Sequence, residues 1–372
     1  MITVTKPYFP PIEKYIRYIE QIWNNNQLTN AGPLVLELES NLREYLETTN
    51  CYFLNNGTIA LQLAIKALDL QGEIITTPFS YVATTSSIVW EGCIPVFVDI
   101  EEDTLTIDPA KIEESITDRT VAILATHVYG NPCDIEKIET IAKKYNLKII
   151  YDAAHCFGVK YKNIPIVNYG DISTLSFHAT KLFHTGEGGA VISNNVDIAH
   201  KLSYMRNFGH NGVENFFGIG INGKNSELHA AMGLCNLPEI NRLIEIRKKI
   251  CNLYDELLLN NGEIIRPKLR EGTEYNYAYY PVLFSSEKTL LNIVKKLNDE
   301  NIFPRRYFYP SLNKLNYVKQ SKMEISEDVS TRILCLPLYH TLEEKDVIRI
   351  SKIILEGCVG NKMNLIKSAD CL

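Results

Sequence analysis

Short apolar runs recur through the middle of the chain, separated by segments whose hydrophobic residues return at helical spacing. The runs at 51–54, 73–77, 95–99, 120–127, 148–152, 172–177 and 190–193 predict strands. Helical patterns lie among them at 59–68, from about Tyr81 to Trp90, and at 112–116, 135–145 and 199–206. Two more helices, 12–23 and 34–46, come first and are separated by the turn Leu28-Thr-Asn-Ala-Gly-Pro33. Strands alternating with helices predict parallel β-α-β units with right-handed crossovers, hence an α/β fold. Ligands on such sheets gather beyond the carboxyl ends of the strands.

The pattern changes near Pro238, after a helix at 227–237. A helix at 239–259 carries Ile240, Leu243, Ile246, Ile250, Leu253 and Leu257 on one face, and Asn260-Asn-Gly262 is expected to stop it. A strand at 275–284, a helix at 288–298, a strand at 332–338 and a helix at 343–356 follow, with a loose tail from about Gly360. The expected division is a large unit, 1–238, and a smaller α+β unit, 239–372.

Four stretches carry candidate chemistry. In Lys148-Ile-Ile-Tyr-Asp152-Ala-Ala-His155 an apolar strand ends in a carboxylate followed by small residues. Buried aspartates need a partner, and a protonated ring nitrogen is a fitting one; the other reading is an N-cap. In Asn55-Asn-Gly57-Thr58 a strand turns into a helix, so free N–H groups and the helix dipole meet there. Gly57 and Thr58 then donate to a phosphate, or Thr58 caps the helix. In Ser176-Phe-His-Ala-Thr-Lys181 a strand delivers a lysine into a turn bordered by Ser176, His178 and Thr180, ahead of Gly186, Gly188 and Gly189. Desolvation lowers the pKa of such an amine and lets it form a Schiff base with an aldehyde. Finally, Pro304-Arg-Arg-Tyr-Phe-Tyr-Pro310 sets Arg305 and Arg306 among Tyr307 and Tyr309, which suits a diphosphate and a sugar or base ring, or else is a solvated basic turn.

Ser176-Phe-His-Ala-Thr-Lys181 followed by Gly186-Glu-Gly-Gly189 resembles the lysine motif of the DegT/DnrJ/StrS-type nucleotide-sugar aminotransferases. The resemblance implies an aspartate aminotransferase-like fold (fold type I) and pyridoxal 5′-phosphate, with a pyridoxamine phosphate form during turnover. It implies that Lys181 carries the cofactor and that Asp152 meets its pyridine nitrogen. His155 would lie by the phenolic oxygen, and Ser176, Gly57 and Thr58 would hold the phosphate. Tyr81 matches the aromatic laid on the cofactor ring, with Phe79 as the alternative. Asn222 matches an asparagine that reaches the neighbouring subunit's phosphate, so a homodimer with shared active sites is implied; Lys224 stands where many relatives have arginine. His184, in the lysine loop, joins Arg305, Arg306, Tyr307 and Tyr309 as a candidate substrate contact. The turn at 28–33 is implied to lie near the site. Glutamate is the implied amino donor, and the wording of the lysine motif is closest to the branch acting on dTDP-4-keto-6-deoxyglucose. Amination at carbon 3 stays open, as does a non-catalytic regulator that binds the cofactor.

Composition narrows this little further. With 45% hydrophobic and 22% charged residues the chain reads as an ordinary globular protein. A net charge of −6 gives no support to nucleic-acid or polybasic membrane binding, and no apolar run approaches the roughly 20 residues of a membrane span. Nine scattered cysteines without a C-x-x-C pair read as reduced thiols in the cytoplasm and not as a zinc site. Gly218-Ile-Gly-Ile-Asn-Gly223 matches a dinucleotide fingerprint, but it follows no strand of a β-α-β unit and is rejected.

Overall fold

The computed structural model describes residues 1–259 and 262–369. Its centre is a seven-stranded sheet built from β1 (Cys51–Leu54), β2 (Glu73–Thr76), β3 (Ile94–Phe97), β4 (Thr120–Thr126), β5 (Lys148–Asp152), β6 (Ile172–Ser176) and β7 (Gly189–Ile192). The spatial order is β1-β7-β6-β5-β4-β2-β3, and β7 alone runs antiparallel to its neighbours. Side chains alternate across the strands. Ile123 and Ala125 of β4 and Tyr151 of β5 enter one core, whereas Ala122, Leu124 and Ile150 enter another on the opposite face. Both faces are therefore covered, the condition under which parallel sheets are stable.

The helix Ile240–Leu258 starts in the first of these cores through Ile240 and Leu243 and ends in a separate one through Ile250, Tyr254 and Leu258. That separate core also holds β8 (Tyr280–Leu283), the antiparallel β9 (Ile333–Leu336), the helix Glu287–Asp299 and Ile2 from the chain's start. Ile2–Thr3 pairs with Ile302–Phe303 as a two-residue parallel ribbon. A seam of Phe79, Val128, Tyr129, Tyr279, Phe308 and Cys335 joins the two parts, and the candidate site lies against it.

Most predicted elements appear within two residues of their expected ends, and the exceptions have local causes. The helix expected at 112–116 is two 3-10 turns, Pro109–Lys111 and Glu113–Ser115, too short to repay an α-helical nucleus. Only Tyr280–Leu283 of the strand expected at 275–284 forms. Upstream of it Tyr277 has φ +51°, and the Asn276 amide donates to the carbonyls of His155 and Phe157 instead of extending a ladder. The helix Glu344–Ala369 continues through the tail expected from Gly360. The expected stop at Asn260-Asn261 lies outside the described residues, although the helix before it ends at Leu258.

Candidate active site

A cavity of about 350 Å³ opens beyond the carboxyl ends of β4, β5 and β6, the place the strand order dictates. Asp152, the last residue of β5, forms its floor and is 5% exposed. One carboxylate oxygen accepts from the Thr84 hydroxyl (2.7 Å) and the other from the Ala154 N–H (3.1 Å). Burial pushes its pKa up, and those two hydrogen bonds and the charge of Lys181 pull it back.

Lys181 also lines the cavity, delivered by the turn after β6. Burial lowers its pKa below the ordinary lysine value, while Asp152 opposes that shift. Its amine donates to the Tyr279 hydroxyl at 3.2 Å. His155 accepts from the Tyr129 N–H through Nδ1 (3.0 Å), which leaves Nε2 to carry the proton of the neutral ring. Burial, and then the lysine charge, hold its pKa well below the usual range. The ring lies parallel to Phe308, with centroids 5.7 Å apart.

A third feature closes the far end. The helix Gly57–Ala67 is capped by Asn56, whose side chain accepts from the Ile59 N–H at 2.8 Å. Thr58 is therefore not the cap, and the first-turn N–H groups of Gly57 and Thr58 are left for an anion. Close approach makes the cup: a Cβ on Gly57 would sit 3.0 Å from the Ser176 Cβ, and one on Gly189 only 2.5 Å from the Asn56 carbonyl carbon. Gly57, Thr58 and Ser176 all line the cavity.

Residues 12–355 match the DegT/DnrJ/EryC1/StrS aminotransferase family. The chain belongs to that family. It is 43% identical over 349 residues to the dTDP-4-amino-4,6-dideoxy-D-glucose transaminase of Shigella dysenteriae, covering 92% of this chain and 95% of that one. Among solved structures, DesI in the presence of its TDP-sugar product superposes with a TM-score of 0.92 at 27% identity, covering 99% of this chain and 95% of that one. NtdA from Bacillus subtilis, with its bound cofactor PMP, superposes at 0.85 and 29% identity, covering 93% and 82% of the two chains.

Within this DegT/DnrJ/EryC1/StrS aminotransferase, nine of the thirteen residues expected to contact cofactor or substrate reach one cavity. Besides those above, Tyr81, Arg305 and Tyr307 stand at its wall and mouth. Tyr81 is 59% exposed, whereas the alternative platform Phe79 is fully buried in the seam. Four others lie outside the lining. The Arg306 guanidinium pairs with Glu287 at 2.7 Å, donates to the Thr331 carbonyl and stacks on the Tyr309 ring at 3.7 Å, which takes both residues away from the cavity. His184 is buried, with Nε2 2.8 Å from the Tyr8 carbonyl oxygen. Asn222 is exposed and accepts from the Lys224 amine at 2.7 Å. The turn at 28–33 packs on the helix Glu227–Asn236, where the buried Glu227 carboxylate accepts from the N–H groups of Leu34 and Val35.

Sequence reasoning passed over Thr84, Tyr279 and Phe308. Tyr279 stood inside the over-long strand expected at 275–284, and Phe308 inside a loop read for its arginines and tyrosines. Thr84 carried no signal beyond its place in the turn that precedes a helix. A larger open hollow of about 550 Å³ beside Tyr45 and Lys248 has mixed charge and contains none of the predicted residues. Among the described residues no group of His, Cys, Asp or Glu is placed to hold a metal ion, and no helix is long and apolar enough to cross a membrane.

Proposed function

We propose that the chain transfers an amino group from L-glutamate to the keto carbon of dTDP-4-keto-6-deoxyglucose, using pyridoxal 5′-phosphate and giving dTDP-4-amino-4,6-dideoxyglucose. The observation that carries this is the juxtaposition, around one cavity, of a buried carboxylate, a lysine whose pKa is lowered by burial and a helix start at which the N–H groups of Gly57 and Thr58 stay free beside the Asn56 cap. Those three groups are the complement of a pyridine nitrogen, an aldehyde and a phosphate. Asp152 takes the ring nitrogen, Lys181 the aldehyde, and Gly57, Thr58 and Ser176 the phosphate, with Tyr81 against the ring and His155 beside the phenolic oxygen. When bound, the cofactor supplies an electron sink for the bonds at the donor's α-carbon.

The remaining work belongs to the chain. Asp152, whose two donors and the nearby Lys181 charge oppose the rise that burial causes, would hold a proton on the ring nitrogen. Lys181, its amine readily neutral because of burial, takes the proton from the donor's α-carbon and later returns one to the product. Arg305 and Tyr307 at the mouth meet the diphosphate and sugar. The dTDP-sugar relatives favour this substrate class.

A second copy of the chain is the partner this reading requires. Val213, Phe216, Phe217 and Ile219 are half to fully exposed on the arm that carries Asn222, and covering them with a neighbour brings that asparagine to the neighbour's phosphate end. The eight described cysteines are free and buried, in keeping with a cytoplasmic enzyme. The test is to incubate the purified protein with pyridoxal phosphate, L-glutamate and either the 4-keto or the 3-keto dTDP sugar. We expect 2-oxoglutarate and a product bearing nitrogen on carbon 4 by NMR. Nitrogen on carbon 3, or no transfer, overturns the assignment.

A further inference from the structure

Thr84, Ser80 and Thr126 form a line of hydroxyls beside Asp152 at the cavity floor; Ser80 and Thr126 also border the cavity, and Thr84 lies behind it. Thr84 Oγ1 lies 2.7 Å from Asp152 Oδ2, Ser80 Oγ lies 2.7 Å from Thr84 Oγ1, and Thr126 Oγ1 lies 3.0 Å from Ser80 Oγ. The three hydroxyl residues are at most 3% exposed. They come from separate elements. Thr84 is in the first turn of the helix Val82–Trp90, Ser80 lies in the turn before it, and Thr126 ends β4 in register with Asp152 of β5. Register partners project to the same side of a sheet, so the pairing of β4 with β5 places Thr126 and Asp152 together.

With Asp152 ionised, as the partner of a protonated ring nitrogen, this line has a direction. An ionised carboxylate only accepts, so the single hydroxyl proton of Thr84 goes to Asp152. Thr84 then has only lone pairs to offer Ser80, and Ser80 must donate to it. By the same count Thr126 must donate to Ser80. Every dipole points its positive end toward the carboxylate, and buried chains of this kind strengthen one another. A scaffold role alone would be met by valine and alanine of similar shape, without three buried hydroxyls to satisfy.

We propose that Thr84, Ser80 and Thr126 are positioning residues: a one-way hydroxyl chain that fixes the Asp152 carboxylate so that its free lone pairs face the ring nitrogen of the cofactor. The inference rests on the cofactor reading above and adds to it the residues that hold the acid.

The test compares binding of pyridoxal phosphate with binding of its 1-deaza analogue, in which carbon replaces the ring nitrogen. Dissociation constants are measured by absorbance and equilibrium dialysis for the wild-type protein, Thr84→Val, Thr84→Ser and Ser80→Ala. Thr84→Val removes the hydroxyl and keeps the shape. It should weaken pyridoxal phosphate about tenfold, the usual scale for a hydrogen bond to a charged group. The same change should leave the deaza analogue's affinity unmoved, because there is no nitrogen for Asp152 to meet. Thr84→Ser should restore wild-type binding. Ser80→Ala, one link further out and less demanding on the fold, should show the same selectivity with a smaller loss. Equal weakening of both ligands, or of neither, overturns the chain. Failure of the wild-type protein to bind pyridoxal phosphate removes the cofactor reading and the chain with it, and is a separate result.

Discussion

At the cavity floor each oxygen of Asp152 has its own donor, and the nearest hydroxyl is itself backed by two more. At the mouth Arg305 and Tyr81 are exposed, and the His178–Glu187 pair, 3.5 Å apart, has both side chains about half in water. The two ends differ because burial makes an unsatisfied polar group costly, whereas water satisfies one at the rim. The floor is thus complete within a single chain and suited to one unchanging ligand. The mouth is open, which suits a nucleotide sugar that enters and leaves.

The sharpest way to test that contrast is at the floor. Lys181→Ala should lower amino transfer by about 10⁴-fold or more, because in the proposed mechanism it removes the group that moves the proton as well as the anchor for the cofactor. Product formation followed by NMR measures this, and a loss below tenfold would mean that the floor does not hold the chemistry. Arg305→Ala acts at the mouth. It should raise KM for the nucleotide sugar about tenfold, the worth of one charge-assisted contact, and leave kcat nearly unchanged. A fall in kcat with constant KM would move Arg305 to the reacting end.

The third prediction concerns pH and uses the cofactor-free protein. Lys181 has a folded-state pKa below its unfolded value of 10.5, so between those values the folded state binds fewer protons than the unfolded one. Stability therefore rises with pH through that window. Lys181→Met removes the buried charge, and its Tm should exceed the wild-type value by about 2–4 °C at pH 7, with the advantage shrinking as pH approaches 10.5. A difference in Tm that is flat across pH would show that the lysine is not desolvated. The smallest effect belongs to Arg306→Ala. Its guanidinium is engaged with Glu287, Thr331 and Tyr309, so KM should stay within about twofold while Tm drops by about 1–2 °C. A KM change as large as that of Arg305→Ala would place both arginines on the substrate.

The adjacent arginines of the 304–310 loop show what a sequence can and cannot say. Their charge and aromatic neighbours were legible, but which of them turned toward the cavity was settled by Glu287 at the start of the preceding helix. Tyr279 gives the same lesson from the other side. It reaches Lys181 because the preceding residues leave the extended conformation at Tyr277, a break that strand periodicity does not announce. The cap of the helix Gly57–Ala67 was likewise open to two readings until Asn56 was seen to take that role.

What the chain determined by itself was local: strand and helix periods, the carboxylate at the end of β5, the lysine in the turn after β6 and the glycines that allow close approach. These follow from spacing and side-chain chemistry within a few residues. Tertiary structure alone decided which polar groups found partners: the hydroxyl line beside Asp152, the tyrosine on the lysine amine and the diversion of Arg306. Such partners are separated by up to about a hundred residues, and their choice depends on the packing of whole elements, which no local pattern encodes.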